Sequence, residues 1–326
     1  MLSRKSISFL LKIIIVVFAL YFLYKQLTNR SAIEGFDITY IKEVIYDNFF
    51  MFLLVFVMMI FNWFIEAVKW RFLVNKIERI SILTSLRAVF SGITVSVFTP
   101  NRIGEYGGRV FCLEKADRIQ GVLITVLGSM AQLLTTIFFG SMGILFLNNY
   151  IPELENIYRE IDFAYPIVFF LLLFLNILLL LLFHNISLLS NLMDKVSLLN
   201  KYKKYKEVFT FYNAQELAFV FIFSIIRYAI FTTQFFILLK LFEIDIIYFD
   251  AIILTMVMLF IISIIPTIAI SEIGIRGSVA VYLFSLVSTN IIGILSATFV
   301  LWFINLLFPA LIGSFFVFTL KFFRKV

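Results

Sequence analysis

The chain has 326 residues, 62% hydrophobic and 14% charged, with a mean hydropathy of +1.05. Soluble domains hold about 45–50% apolar and about 25% charged residues, so this composition excludes a water-soluble globular protein. The net charge of +7 fits basic residues gathered on cytoplasmic loops rather than nucleic-acid binding, and a lone Cys112 and lone His184 leave no disulfide framework or Cys/His metal centre; no metal and no cofactor is expected.

Crossing a bilayer core of roughly 30 Å takes about 20 apolar residues. In chain order the candidates are Ser8–Tyr24, Phe49–Val68, Ile119–Leu147, Pro166–Phe183, Leu217–Leu239 and Ile291–Leu320. The first follows Arg4, Lys5 and Lys12 and resembles a signal peptide, but no small-residue cleavage site comes after it, so it reads as an uncleaved helix. His184, at the end of an apolar run, reads as an interfacial residue. Two further apolar stretches, Ile82–Thr99 and Ala251–Ile265, end in proline-marked breaks.

Loop charges orient these segments. The stretch 25–48 carries Glu34, Asp37, Glu43 and Asp47 against Lys25, Arg30 and Lys42, and reads as outside. Lys69, Arg71, Lys76, Arg79 and Arg87 against Glu78 place 69–87 inside; Glu153, Glu155, Glu160 and Asp162 against Arg159 place the next loop outside. Lys195, Lys201, Lys203, Lys204 and Lys206 return the chain inside, Glu243, Asp245 and Asp250 lie outside, and the tail of Lys321, Arg324 and Lys325 is inside. The alternation holds only if Ile82–Thr99 enters and leaves on the cytoplasmic side and 251–288 does the same from outside. The expected fold is an all-α integral membrane protein, a single membrane domain over 1–326. It has six transmembrane helices plus two re-entrant helical hairpins, with both termini in the cytoplasm and the inner or plasma membrane as its location.

The two breaks are related. One reads Thr99-Pro-Asn-Arg-Ile-Gly-Glu-Tyr-Gly-Gly-Arg109, the other Ala269-Ile-Ser-Glu-Ile-Gly-Ile-Arg-Gly277, and Glu105/Arg109 and Glu272/Arg276 are offset by the same 167 residues. The flanking spans shift with them, so 49–147 and 217–320 form two repeats of opposite orientation joined by the linking helix 166–183. Secondary transporters use this inverted repeat, with interrupted helices building a site near the midplane. Ionisable residues in membrane segments are expensive and usually face a cavity or a partner.

Pro100 and Pro266 cannot continue a helix, and Gly104, Gly107, Gly108, Gly274 and Gly277 permit tight turns. Freed helix termini and arginines at such tips suit an anion. Asn101, Arg102, Arg109 and Arg276 are therefore candidates to grip a phosphate, with Glu105 and Glu272 holding the arginines, meeting a cationic headgroup or carrying a proton. The alternative is that each Glu–Arg pair neutralises itself and stitches the tips together. Gln132, Arg227 and Gln234 are secondary candidates, the glutamines suiting interhelical hydrogen bonds. Glu66, Lys69, Trp70 and Arg71 read as an interfacial anchor, and the 195–206 lysines suit anionic lipid or ordinary charge bias.

Lys69-Trp-Arg-Phe-Leu73, the 99–109 segment, Gly128-Ser-Met-Ala-Gln132 and Ser271-Glu-Ile-Gly-Ile-Arg276 resemble the lysylphosphatidylglycerol synthase transmembrane-region family, also called flippase-like, over nearly the whole chain. Lys69 departs from that pattern, which has Arg before the Trp. The resemblance implies lipid handling without lipid synthesis, since the best-known members fuse this region to a soluble aminoacyltransferase. The partner it implies is a membrane lipid, either a phospholipid or one linked to polyprenyl phosphate. The leading expectation is a flippase-like transporter that is not an enzyme. A membrane-embedded transferase and a non-transporting scaffold of an envelope-assembly complex are the alternatives; no His-Glu-x-x-His, Gly-x-Ser-x-Gly or P-loop motif supports the transferase.

Overall fold

A computed structural model describes residues 4–28, 38–147, 150, 164–187, 205, 207–266 and 269–320. The acidic loop residues at 34, 37 and 153–162, the lysines at 195–206 and the cationic tail lie outside the described residues. The described chain is helical: α1 (Arg4–Thr28), α2 (Ile38–Asp47), α3 (Phe49–Val74), α4 (Ile82–Ser96), a 3-10 turn (Pro100–Arg102), α5 (Gly104–Val110), α6 (Arg118–Phe146) and α7 (Ala164–His184). After a 3-10 turn at Glu207–Thr210 come α8 (Ala214–Leu241), α9 (Tyr248–Ile264), α10 (Ala269–Phe284), α11 (Ile291–Trp302), a π turn (Phe303–Leu307) and α12 (Phe308–Val317).

Five helical stretches among the described residues are long and apolar enough to cross a membrane: α3, α6, Pro166–His184 of α7, α8 and the run Ile291–Val317. The 26 residues of α3 reach about 39 Å at 1.5 Å each, more than the roughly 30 Å hydrocarbon core. In α7 only 11% of the most apolar window is buried, and Leu171 and Phe174 point outward; such a surface is stable in lipid and not in water. The first expected span forms α1, whose apolar stretch Phe9–Tyr21 is shorter than those five. Lys12 interrupts it and donates to the Phe318 carbonyl at 2.8 Å, tying α1 to the end of α12.

Local chemistry sets the helix starts. Asn213 and Glu216 form a reciprocal capping box at α8, and Glu216 also meets Lys76 at 2.5 Å. Ser81 caps α4 by accepting from the Thr84 N–H. Glu78 accepts the backbone N–H groups of Glu114, Lys115 and Ala116 at 2.8–3.1 Å, which pins the α5–α6 connection to the α3–α4 connection.

Packing follows a crossed scheme. The long helices α3 and α8 lie against each other; α4 packs on α5 and on α12, and α9 on α10 and on α6. Small residues make these contacts close. A Cβ on Gly313 of α12 would lie 2.0 Å from the Phe90 carbonyl of α4, and one on Gly140 of α6 would lie 2.4 Å from Phe260 Cβ of α9. Without a hydrophobic drive between helices in lipid, this close approach is what holds them.

The first break differs from the sequence expectation in one respect. Its turn is made by Asn101 (φ 49°) and Arg102 (φ 57°), not by the glycines. Gly104 and Gly108 are helical and serve contact: a Cβ on Gly108 would stand 2.6 Å from Gly92 Cα, and one on Gly104 2.5 Å from the Val95 carbonyl. Gly274, in α10, meets nothing within 4 Å. Replacing Gly313 by Leu forces α12 off α4, and overpacking of this kind costs about 1–3 kcal/mol or more. The unfolding temperature of purified Gly313→Leu in detergent therefore falls by several degrees, whereas Gly274→Ala leaves it unchanged or slightly raised.

Candidate functional site

Glu66, on α3, is 4% exposed and accepts from three cations on three helices. Lys69 lies one turn on, at 2.8 Å; Arg109 of α5 donates at 2.8 Å; and Arg227 of α8 makes a third contact. Arg109 also holds Glu105, one turn before it in α5. Lys69, 1% exposed, further donates to the Gly128 carbonyl of α6 at 3.3 Å and to Ser224 Oγ of α8 at 3.4 Å. Arg227 donates through Nε to Asn62 Oδ1 at 2.9 Å and through Nη1 to Gln132 Oε1 at 3.3 Å, and lies 5.3 Å from the centre of the Trp63 ring.

This corrects the interfacial-anchor reading of 66–71. Because α3 continues to Val74 and is covered there by α6 and α8, Glu66, Lys69 and Trp70 are buried inside the protein. Trp70 donates to Thr125 Oγ1 at 3.0 Å, and Arg71 caps the following loop by donating to the Ile80 carbonyl at 2.9 Å.

A second cluster joins the two breaks. Arg102, from the first, donates to Glu272 Oε1, from the second, at 2.6 Å; Arg276 donates to the same oxygen through Nε at 2.9 Å, with its Nη2 in ion-pair contact at 2.8 Å. Glu272 is deeply buried, while the Arg102 side chain is 39% exposed. Both breaks border a cavity of about 560 Å³. Asn101, Arg102, Arg227, Glu272 and Arg276 form its polar wall with Asn62 and Gln132, and Phe231, Leu259 and Ile262 form an apolar wall that runs out to the exposed Ile264.

The expected site residues thus divide. Asn101, Arg102, Glu272 and Arg276 come together at the cavity, joined by Gln132 and Arg227. Glu105 and Arg109 instead belong to the Glu66 cluster and do not line the cavity, because Arg109 turns toward α3. Gln234 donates to the Val55 carbonyl at 2.8 Å, and Gln132 reaches the Ser224 carbonyl at 3.5 Å, both bridging helices. Asn62 and Glu66 were missed as site residues. They could have been found as an i, i+4 polar pair continuing to Lys69 on one face of an otherwise apolar helix.

Among the described residues, the two clusters hold five cations (Lys69, Arg102, Arg109, Arg227 and Arg276) against three carboxylates (Glu66, Glu105 and Glu272). An excess of two positive charges in a low-dielectric interior is a strong attractor for an anion. Arg102 and Arg276 present forked donors suited to phosphate oxygens.

The model of the lysylphosphatidylglycerol synthase TM region matches residues 9–313. The chain belongs to this family. The match takes in both breaks and every charged residue of the two clusters, so the arginine-lined cavity is built from the family's own membrane region. No curated protein matches the chain.

Removing one partner of a buried ion network leaves the others uncompensated, at about 3–5 kcal/mol. Glu66→Ala strands Lys69 and Arg227 and leaves Arg109 with Glu105 alone, so the yield of monodisperse protein and its unfolding temperature both drop sharply. Adding Lys69→Met to Glu66→Gln recovers part of the loss. By contrast, Lys240→Ala, which breaks a pair with the fully exposed Asp245, changes neither.

Proposed function

We propose that this protein moves a phospholipid or a lipid-linked anionic headgroup between leaflets, acting as a translocator and not as an enzyme. The observation that carries the reading is the cavity between the two breaks, with arginines on one wall and an apolar wall ending at an exposed isoleucine. Such a space accepts a charged headgroup inside while the acyl chains stay in lipid. The family supports a role tied to membrane lipids.

The same proposal takes the fold as six spans and two re-entrant hairpins, α4–α5 and α9–α10, arranged as an inverted repeat of 49–147 and 217–320, with both termini cytoplasmic. The crossed packing supports it: α12 lies on α4 as α6 lies on α9, each contact made by a glycine of the helix that ends one half on the hairpin of the other. Exchange of this kind is what a pseudo-twofold axis produces. Alternating access then comes from rocking one half against the other, with the Arg102–Glu272 contact between the breaks closing one face.

Reconstitution into liposomes tests the reading. Dithionite quenching of a fluorescent phosphatidylglycerol introduced into one leaflet reports its appearance in the other. The wild type accelerates that movement, and Arg102→Ala and Arg276→Ala each slow it about tenfold or more, the loss expected when a charge-assisted hydrogen bond worth roughly 1.5–3 kcal/mol is removed. Equal rates in the wild type, the variants and empty liposomes would leave the scaffold and transferase alternatives.

A further inference from the structure

Beyond the main cavity lies a smaller chamber of about 110 Å³. The two share Asn62, Arg102, Arg227, Phe231 and Arg276, and the chamber is closed by Trp63 of α3, Trp302 at the end of α11 and Asn305 in the π turn. Trp63, Trp302 and Asn305 are 8%, 4% and 8% exposed. Each carries a buried polar atom without a hydrogen-bond partner: Nε1 of both indoles and Oδ1 of the asparagine. Buried polar groups are nearly always paired, and leaving one unpaired is costly. Here the three residues line one space, beside a π turn, a feature frequent at functional sites.

The chemistry of the walls is one-sided. Among the described residues no carboxylate lines this chamber; Glu272 borders only the larger cavity. Glu272 engages Nη2 of Arg102 and Nε and Nη2 of Arg276, and since a guanidinium has five N–H donors both arginines keep others to offer. A drug-sized ligand needs about 300 Å³ or more, so a space of this size takes one compact group.

We propose that the chamber binds a phosphate group, held by the indole N–H groups of Trp63 and Trp302 and the N–H groups of Arg102, Arg227 and Arg276, with Asn305 Oδ1 accepting from a ligand hydroxyl. The larger cavity holds whatever the phosphate is attached to. The inference rests on the translocation reading for the source of that phosphate, a lipid, and not for its recognition.

The purified protein carries its own reporter, because two of its three tryptophans line the chamber and the third, Trp70, is hydrogen-bonded to Thr125 elsewhere. In detergent, dioleoyl phosphatidic acid changes the tryptophan emission and raises the unfolding temperature, whereas dioleoylglycerol, identical but for the phosphate, does neither. The Trp63→Phe/Trp302→Phe double variant keeps an aromatic ring at each position and removes both N–H donors with the pyrrole half of each indole, so its binding is read from the unfolding temperature. Its affinity for phosphatidic acid falls about tenfold or more, while Trp70→Phe retains the wild-type affinity. A response to inorganic phosphate with none to the lipid keeps the chamber as a phosphate site and removes the lipid-handling reading. Phosphate-dependent lipid binding without movement between leaflets also upholds the chamber and sinks translocation alone. An equal wild-type response to phosphatidic acid and dioleoylglycerol, measured without any substitution, overturns the chamber, as does an unchanged affinity in the double variant.

Discussion

A carboxylate surrounded by lipid-facing helices has no water to solvate it, so its partners must come from the protein, and Glu66 takes them from three directions at once. Its contacts with Lys69, Arg109 and Arg227 tie α3, α5 and α8 to one point, and Lys69 extends the tie to α6. Four helices thereby share one register. The arrangement also sets the cavity: Arg227 is held on one side by Glu66 and Asn62 and presents the rest of its guanidinium to the cavity wall. A side chain fixed by such supporting bonds is pre-organised for a ligand.

The two Glu-x-x-x-Arg segments, alike in sequence, carry different burdens. Arg109 is sealed, its side chain 4% exposed, between Glu105 and Glu66. Glu272 and Arg276 stand at the cavity and are joined across the gap by Arg102, whose position depends on two consecutive residues in left-handed backbone. Asparagine adopts that conformation readily; for arginine it costs roughly 1–2 kcal/mol. Strain of this size persists where the surroundings over-determine it, commonly at binding sites. The Arg102–Glu272 bond and the packing of the break against α4 supply that determination.

Much of this was legible in the sequence. The apolar runs and the Gly-Glu-Tyr-Gly-Gly segment sufficed for membrane residence, helical class and family, because each rests on composition or local pattern. The first span is less clear-cut, since Lys12 and the neighbouring basic residues leave α1 a shorter apolar stretch than the others. What escaped were features decided by neighbours distant in the chain. Lys69-Trp-Arg has the composition of a membrane-interface anchor, and only the approach of α6 and α8 turns Lys69 and Trp70 inward. Gly108 looks like a hinge until Gly92, sixteen residues earlier, is seen against it. Trp302 and Asn305 gave no local signal beyond a polar atom in an apolar run; their place with Trp63 around one chamber is set by the packing of distant helices.

The crossed packing also bears on how the chain is made. Phe90, on α4, waits for Gly313 of α12, a residue synthesised 223 positions later; at about 5–20 residues per second that interval is on the order of 10–45 s. During it the Phe90–Thr94 face of α4 has no final neighbour. The first half must therefore survive in the membrane as an incomplete intermediate, open to lipid or to an insertion chaperone, until the last helix arrives.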